Sequence, residues 1–323
     1  MPEQVGWGEG TAYADEDALI AHLATLVDGG SPEILQGIGD DAAVLAPDLV
    51  WTVDPQVDGV HFRRDFSSPY DVGWKALAVN LSDLAAMGAL PVGALVSLIL
   101  GEGDAADAEP IYTGLGACAR TYGCPIVGGD VARGSGLSIS VSVIGRAATP
   151  PPGRVGAQPG DVIAVTGTLG ESAAGLAVLR DPALRDLPGA IESVERHRRP
   201  HPRLVEGQAL APFVHAMMDV SDGIATDLRR LARRSGVQLH VDLDALPMHD
   251  DTPPIARALG LAPGVLAATG GEDYELVMAL AAEDVERCGI PLTVIGHVAE
   301  GSASVRFTGE GANDALRGWD HLA

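Results

Sequence analysis

The stretch that most constrains this chain is Trp74–Gly88, WKALAVNLSDLAAMG. Leu77, Leu81 and Leu84 recur at helical spacing, and Ala, Leu and Met are strong helix formers. Gly88, with Pro91 soon after, is a plausible stop. Asn80 and Asp83 stand three apart and so share one face of an otherwise apolar helix. An exposed polar stripe is the simple explanation. The alternative is convergence, because other aspartates end apolar runs elsewhere: Asp40 and Asp41, Asp54, Asp130, Asp219 and Asp222. These acids are expected to meet Asp83 and hold divalent metal ions.

Composition narrows the partners. A formal charge of −23 argues against nucleic acid, whose phosphates need a basic surface. Cys118, Cys124 and Cys288 lack metal-ligand spacing and suit buried thiols in a reducing compartment. No basic start leads into an apolar core at the N-terminus, and the longest apolar run, Ala89–Leu100, is too short for a bilayer. The expectation is a cytoplasmic protein with no membrane contact.

Strand and helix patterns alternate through both halves, which reads as α/β. Helices are expected at Asp15–Val27, Ala105–Tyr122, Ser172–Leu179, Ile224–Arg234 and Ile255–Leu259. Strands are expected at Val50–Val53, Val92–Leu100, Pro125–Val127, Leu137–Gly145, Asp161–Thr166, Ala216–Met218, Val237–Val241, Glu275–Leu280, Val294–Val298 and Val305–Phe307. Asp54–His61 and Asp130–Gly136 read as loops, and Asp181–Pro202 as a polar, Arg- and Pro-rich excursion. The proline-rich Thr149–Pro159 reads as a connection between domains spanning 1–148 and 149–323.

The chemistry rests on acids. There is no G-x-x-x-x-G-K-[ST], no G-x-G-x-x-G after a strand, and no Ser or Cys nucleophile motif; Lys75 is the only lysine. Carboxylates with water and phosphate oxygens suit Mg²⁺, and an acidic pocket needs such metal before it accepts a nucleotide. Ser221 and Asp222 precede a helix, where they could cap it or help to bind an anion. Asp40-Asp41 could cradle a cation or make a turn, and Glu272-Asp273 could be turn acids. His61 could be a surface residue. Trp319 could be a core anchor or a stacking platform.

The blocks GIGDDAAVL (37–45), VDPQVDGVHF (53–62), KALAVNLSDLAAMGA (75–89), VGGDVARG (127–134), GDVIAVTGTLGESAAGL (160–176), MMDVSDGIATDLRRLA (217–232) and GGEDYEL (270–276) resemble, in order, those of the thiamine-monophosphate kinases. That family belongs to the superfamily of aminoimidazole ribonucleotide synthetase. The resemblance implies ATP-dependent phosphorylation of thiamine monophosphate to the diphosphate. It also implies a two-domain fold whose N-terminal sheets pair across a homodimer into a barrel. By motif position it places Asp40, Asp54, Asp83, Asp130, Asp219 and Asp222 on Mg²⁺, with Thr52 and the carbonyl of Val53 assisting. Tyr112, Gly129, Asp130, Arg154 and Ser221 would contact ATP, and His61, Glu272 and Trp319 the thiamine end. No residue is expected to serve as a covalent nucleophile. The rival readings are another ATP-dependent member of the superfamily and an acidic metal- or nucleotide-binding protein without turnover. The selenophosphate synthetase and hydrogenase-maturation members use cysteines this chain lacks.

Overall fold

The computed structural model of the chain describes residues 13, 15–27, 30–148 and 150–320. Residues 1–12 and 321–323 lie outside them. Two mixed six-stranded sheets form the frame. The first contains β1 (Ile34–Gln36), β2 (Ala43–Leu45), β3 (Leu49–Val57), β4 (Ala89–Leu100), β5 (Ile126–Arg133) and β6 (Ser138–Ala147), in the order β1-β2-β3-β6-β4-β5. The second contains β7 (Val162–Val165), β8 (Val214–Asp219), β9 (Gln238–Asp242), β10 (Leu276–Leu280), β11 (Thr293–Ala299) and β12 (Ser304–Thr308), in the order β12-β9-β11-β7-β10-β8. Among the described strands, β4–β5 and β9–β12 pair in parallel and the other pairs are antiparallel. The helices are α1 (Glu16–Ala24), α2 (Pro69–Ala86), α3 (Ala108–Tyr122), α4 (Glu171–Arg180), α5 (Ala190–Arg198), α6 (Leu204–Leu210), α7 (Ile224–Ser235), α8 (Thr252–Ala258), α9 (Pro263–Thr269) and α10 (Asp284–Arg287).

Helix α2 is the centre of the molecule. It starts earlier than its apolar pattern shows, because Ser68 and Asp71 form a reciprocal capping box and Pro69 occupies the first turn. Gly73 and Gly114 let α2 and α3 touch backbone to backbone: a Cβ on Gly73 would lie 1.9 Å from the Ile111 carbonyl oxygen, and one on Gly114 1.9 Å from that of Tyr70. On its other side, a Cβ on Gly207 of α6 would lie 2.0 Å from the Ala85 carbonyl oxygen. The core around Leu77, Leu81 and Leu84 also takes in Met217, Leu276 and Met278 of the second sheet. One helix is therefore shared by both halves of the fold.

Several segments differ from their expected form. Strand β3 runs through Asp54 and Pro55 to Val57, paired with β6 along its whole length, so no loop follows Asp54 directly. Pro55 is tolerated because β2 pairs only with the first part of β3. Strand β5 likewise continues through Gly129 and Asp130 to Arg133, where a loop had been expected. Gly129 is required by packing rather than by a turn: a Cβ there would lie 1.9 Å from the Val96 carbonyl oxygen. The Arg-rich excursion contains α5. The helix expected from Ala105 begins as a 3-10 turn, Asp104–Asp107.

Candidate active site

The N-terminal end of the site is built on β3 and α2. Asn80 and Ser82 are fully buried, so this face of α2 is no exposed stripe. Asn80 Oδ1 accepts from the Asp54 backbone N–H at 2.9 Å, and its amide nitrogen donates to the Ala76 carbonyl at 2.9 Å. Thr52 Oγ1 donates to Asp83 Oδ2 at 2.6 Å. One turn of helix thus fixes both Asp54 and Asp83. Strand β8 delivers Asp219 to the same place, where Ser82 Oγ donates to its Oδ2 at 2.7 Å.

Asp41, Asp83 and Asp219 each present a carboxylate oxygen within 4.8 Å of the other two. Burial, then the charges of Asp54, Asp219 and Asp41, pushes the Asp83 carboxyl well above the usual carboxylate range. Burial and Asp41 raise Asp219 to about 8. Burial and Asp41 raise Asp40 to about 6, against the opposing pull of Arg154. Like charges crowded this way disfavour ionisation unless a cation joins them. One cation is already present: the Arg154 guanidinium grips Asp41, and its backbone N–H donates to Asp40 Oδ2 at 3.1 Å. Even so, Asp41 Oδ2 is buried with no hydrogen-bond partner among the described residues. Hard oxygen donors with an unsatisfied member are a donor set that fits Mg²⁺.

Three loops meet beside this cluster. The Glu272 N–H donates to the Ser221 carbonyl at 2.7 Å, and the Trp319 N–H to the Asp222 carbonyl at 2.8 Å. Gly318 permits that approach, since a Cβ there would lie 1.8 Å from the Asp222 carbonyl oxygen. Asp222 is paired with Arg230 of α7, which also bonds Asp227 at 3.1 Å. The Asp222 N–H donates to Asp227 Oδ2, so Asp227, within α7, ties down the loop ahead of that helix.

The sole lysine marks the other end. Lys75 is 3% exposed, and its Nζ lies 2.6 Å from Glu272 Oε1. Burial would raise the Glu272 carboxyl, but Lys75 and His197 outweigh it and hold the pKa below its ordinary value. His197 Nδ1 lies 3.3 Å from Glu272 Oε2 and 3.0 Å from Ser172 Oγ. Burial and Lys75 push His197 down to about 4, so it is neutral at physiological pH. Glu272 and Tyr274 adopt positive φ of 67° and 51°, which costs energy and has to be held by the surroundings. The rest of the motif supplies that hold. Asp273 accepts from the Gly170 N–H at 2.7 Å and the Ser172 N–H at 3.2 Å. Glu275, fully buried, receives Arg196, Arg203 and the Thr166 hydroxyl. His61 joins from the β3–α2 connection: its Nδ1 accepts from the Val57 N–H at 3.1 Å, and its carbonyl lies 3.5 Å from Lys75 Nζ.

Comparison with known proteins decides the family. The N-terminal domain model of the AIR synthase related proteins matches residues 39–147 and the C-terminal model 158–308. A thiamine-monophosphate kinase of Salmonella typhimurium is 38% identical over 95% of this chain and 98% of its own length. One from Escherichia coli is 38% identical with the same coverage, and one from Aquifex aeolicus is 36% identical over 88% of this chain and 92% of its own length. A solved structure described as AaThiL complexed with AMPPCP and TMP has a TM-score of 0.85 at 34% identity, covering 95% of this chain and 97% of that one. The chain belongs to the thiamine-monophosphate kinase family. The hydrogenase maturation protein HypE, at 23% identity and a TM-score of 0.66, shares the fold alone.

Not every residue implied by the kinase motifs is gathered in one place. Asp40, Thr52, Asp54, Asp83, Arg154 and Asp219 stand together, Ser221, Asp222, Glu272 and Trp319 share the adjoining loops, and His61 faces Lys75. Val53 lies between Thr52 and Asp54 with its side chain exposed. Gly129 and Asp130 stand apart, on the exposed edge strand β5. Tyr112 lies on α3 beside Ile111, which abuts Gly73. That is ten residues before Asp83 on α2, or roughly 15 Å along the helix axis. The site set drawn from the motifs omits Asp41, whose adjacency to Asp40 gave no sign of which one turns inward. It also omits Lys75, whose being the sole lysine was the available signal, and His197, which lay within the polar excursion.

Proposed function

We propose that this chain transfers the γ-phosphoryl group of ATP to thiamine monophosphate, forming thiamine diphosphate. The observation that carries the reading is the meeting of Asp41, Asp83 and Asp219 within 4.8 Å in a chain with the kinase motifs. Magnesium, when bound, neutralises phosphate charge and lets two anions approach. Asp40, Asp54, Asp83, Asp219 and Asp222, with Thr52 and the Val53 carbonyl, are the proposed ligands, and Asp41 joins them here. Several ions are proposed, because the carboxylates extend over two loops as well as the central cluster.

Arg154 and Ser221 are proposed to hold the nucleotide phosphates, Ser221 from the loop ahead of α7. Glu272, kept ionised by Lys75, is suited to a cationic acceptor such as a thiazolium; His61 and the indole of Trp319 would complete that end. The acceptor is itself a phosphate and ionises without a strong base. The carboxylates are committed as ligands and His61 to the acceptor. No side chain is left as a nucleophile, and transfer is proposed to be direct, by positioning and electrostatics.

The segment 1–148 is the proposed metal and dimerisation domain, and 149–323 the second domain. Strand β5 is exposed along most of its length, and Val53, Val92, Leu95, Val127 and Val131 form an apolar surface on this sheet. Such an edge and face call for a partner, and a second copy pairing sheet to sheet into a barrel is the proposed one. Asp130, Gly129 and Tyr112 would reach the nucleotide through that assembly. No helix among the described residues is long and apolar enough to cross a membrane, and a cytoplasmic location is proposed.

The test is ADP release with ATP, Mg²⁺ and thiamine monophosphate. Turnover that needs the acceptor and disappears with chelator supports the proposal. ADP formed without the acceptor, or none with it, favours another ATP-dependent activity or a binding protein.

A further inference from the structure

We propose that the seam between α4, α5 and the β3–α2 connection is a second anion site, separate from the aspartate cluster, which takes a phosphorylated organic ligand. A cavity of about 930 Å³ lies there, within the range that holds small ligands. Arg63, Arg180, Arg185 and Arg198 all line it, in a chain with a net charge of −23. The last turns of α4 and α5 favour cations, which explains an arginine at each helix end. It does not explain why four face one cavity.

The charge is not balanced from within. Two carboxylates also line the cavity, Asp65 and Glu195. Asp65 is bound by Arg63 at 2.6 Å, and Glu195 by Arg199 at 2.6 Å, so both are neutralised. Arg198 Nε donates to the Phe66 carbonyl, a neutral partner. No carboxylate pairs with Arg180 or Arg185 among the described residues. Burial and the charge of Arg63 hold the Arg180 pKa below the usual guanidinium value against the weaker pull of Glu272, as expected where cations crowd together. The remaining wall is apolar. Phe66, with Arg63 stacked 4.2 Å above its ring, faces Val178, Val194 and Ile191, and Ile191 is 74% exposed. Guanidinium groups beside an aromatic and aliphatic wall fit a phosphate joined to an organic ring.

The site is distinct from the metal centre. Along α2, Asp83 lies eight residues beyond Lys75, about 12 Å of helix, whereas Phe66 precedes the start of α2 on the other side of Lys75. A ligand with its phosphate at the aspartates cannot also place it among these arginines. The two sites are nevertheless linked, because His197 touches Glu272 and the next residue, Arg198, lines the cavity. That linkage rests on the proposed role of Glu272; the anion site does not.

Calorimetric titration with inorganic pyrophosphate, in chelator so that the aspartate cluster repels anions, tests the site. Saturable binding of one pyrophosphate per chain is expected. Arg180→Ser/Arg185→Ser should weaken it at least about tenfold with an unchanged melting temperature and unchanged kinase turnover, while Asp83→Asn should leave it intact. Thiamine diphosphate and ADP, titrated separately, distinguish a reaction product from a free nucleotide: the one that binds tighter than pyrophosphate names the source. No binding to the wild type, equal binding to the double variant, or loss in Asp83→Asn overturns the site. Neither organic ligand exceeding pyrophosphate overturns the organic part. A wild type that binds pyrophosphate but phosphorylates nothing leaves the site standing and removes the proposed kinase function instead.

Discussion

Asp83→Asn should stabilise the metal-free protein and abolish its response to Mg²⁺. The two effects have one cause. Asp83 and Asp219 bring oxygens to within 4.8 Å of each other, with Asp41, itself held by Arg154, adding to the crowding. At that separation, with an effective dielectric of about 20, two ionised carboxylates repel by roughly 3 kcal/mol. The asparagine keeps the Thr52 hydrogen bond, because Oδ1 still accepts, so little else is lost. The sign with pH follows from the raised pKa values. A carboxyl raised from its ordinary value, as Asp219 is to about 8, stabilises the fold fully below the ordinary value. That stability is lost as pH rises through about 8. Below about pH 4 the carboxyls are protonated folded and unfolded alike and the variant gains almost nothing; the gain grows from there, and near about pH 9 it is the whole repulsion, roughly 5 °C in melting temperature for a chain of this size. Scanning calorimetry of both proteins, in chelator and in millimolar Mg²⁺, checks this. Wild type should rise with Mg²⁺, most at high pH, and the variant should not. An offset independent of pH, or a full Mg²⁺ response in the variant, would refute the convergence of these acids on a metal.

Four further outcomes follow. Trp319→Ala should raise the KM for thiamine monophosphate and barely change that for ATP; equal effects on both would make Trp319 a structural anchor. Lys75→Met should leave Glu272 without its buried cation and lower kcat/KM for the acceptor by at least about tenfold. Unchanged acceptor kinetics would show the pair to be structural only. γ-Labelled ATP without acceptor should leave no label on the protein, and stoichiometric labelling that His61→Ala removes would establish a relay. Sedimentation should show a dimer; an active monomer of 33.2 kDa would remove the sheet-pairing proposal.

Asp83 was legible because helical spacing is local: three residues put Asn80 and Asp83 on one face, and an apolar helix leaves that face little choice but burial. Asp41 was expected among the converging acids, but that it rather than Asp40 completes the tight cluster, gripped by Arg154, was not legible. Adjacent residues on irregular backbone carry no periodic signal, and its partner Arg154 lies more than a hundred residues away. Pairings such as Lys75 with Glu272 are of the same kind. The chain joins them only once α2 and the 270–274 loop have packed. Strand β5 misled for a different reason. The polar, glycine-rich Asp130–Gly136 reads as a loop, yet the strand continues to Arg133 in pairing with β4, and Gly129 is small because β4 approaches it.

The placement of α2 accounts for both what the sequence shows and what it hides. A helix packed backbone to backbone against α3 on one side and α6 on the other is fixed by glycines, not by its polar residues. Its polar residues are therefore free to serve the site, and they do so at two levels: Lys75 near one end, Asn80 to Asp83 near the other. The separation, about 12 Å along the axis, is a length suited to an acceptor with a cationic ring at Glu272 and a phosphate at the aspartates. Shortening that spacing by one residue would rotate Asp83 about 100° away from Thr52 and Asp219. Deleting Val79 should therefore abolish turnover and Mg²⁺-induced stabilisation together. Loss of one without the other would show that the two ends of α2 do not form a single site.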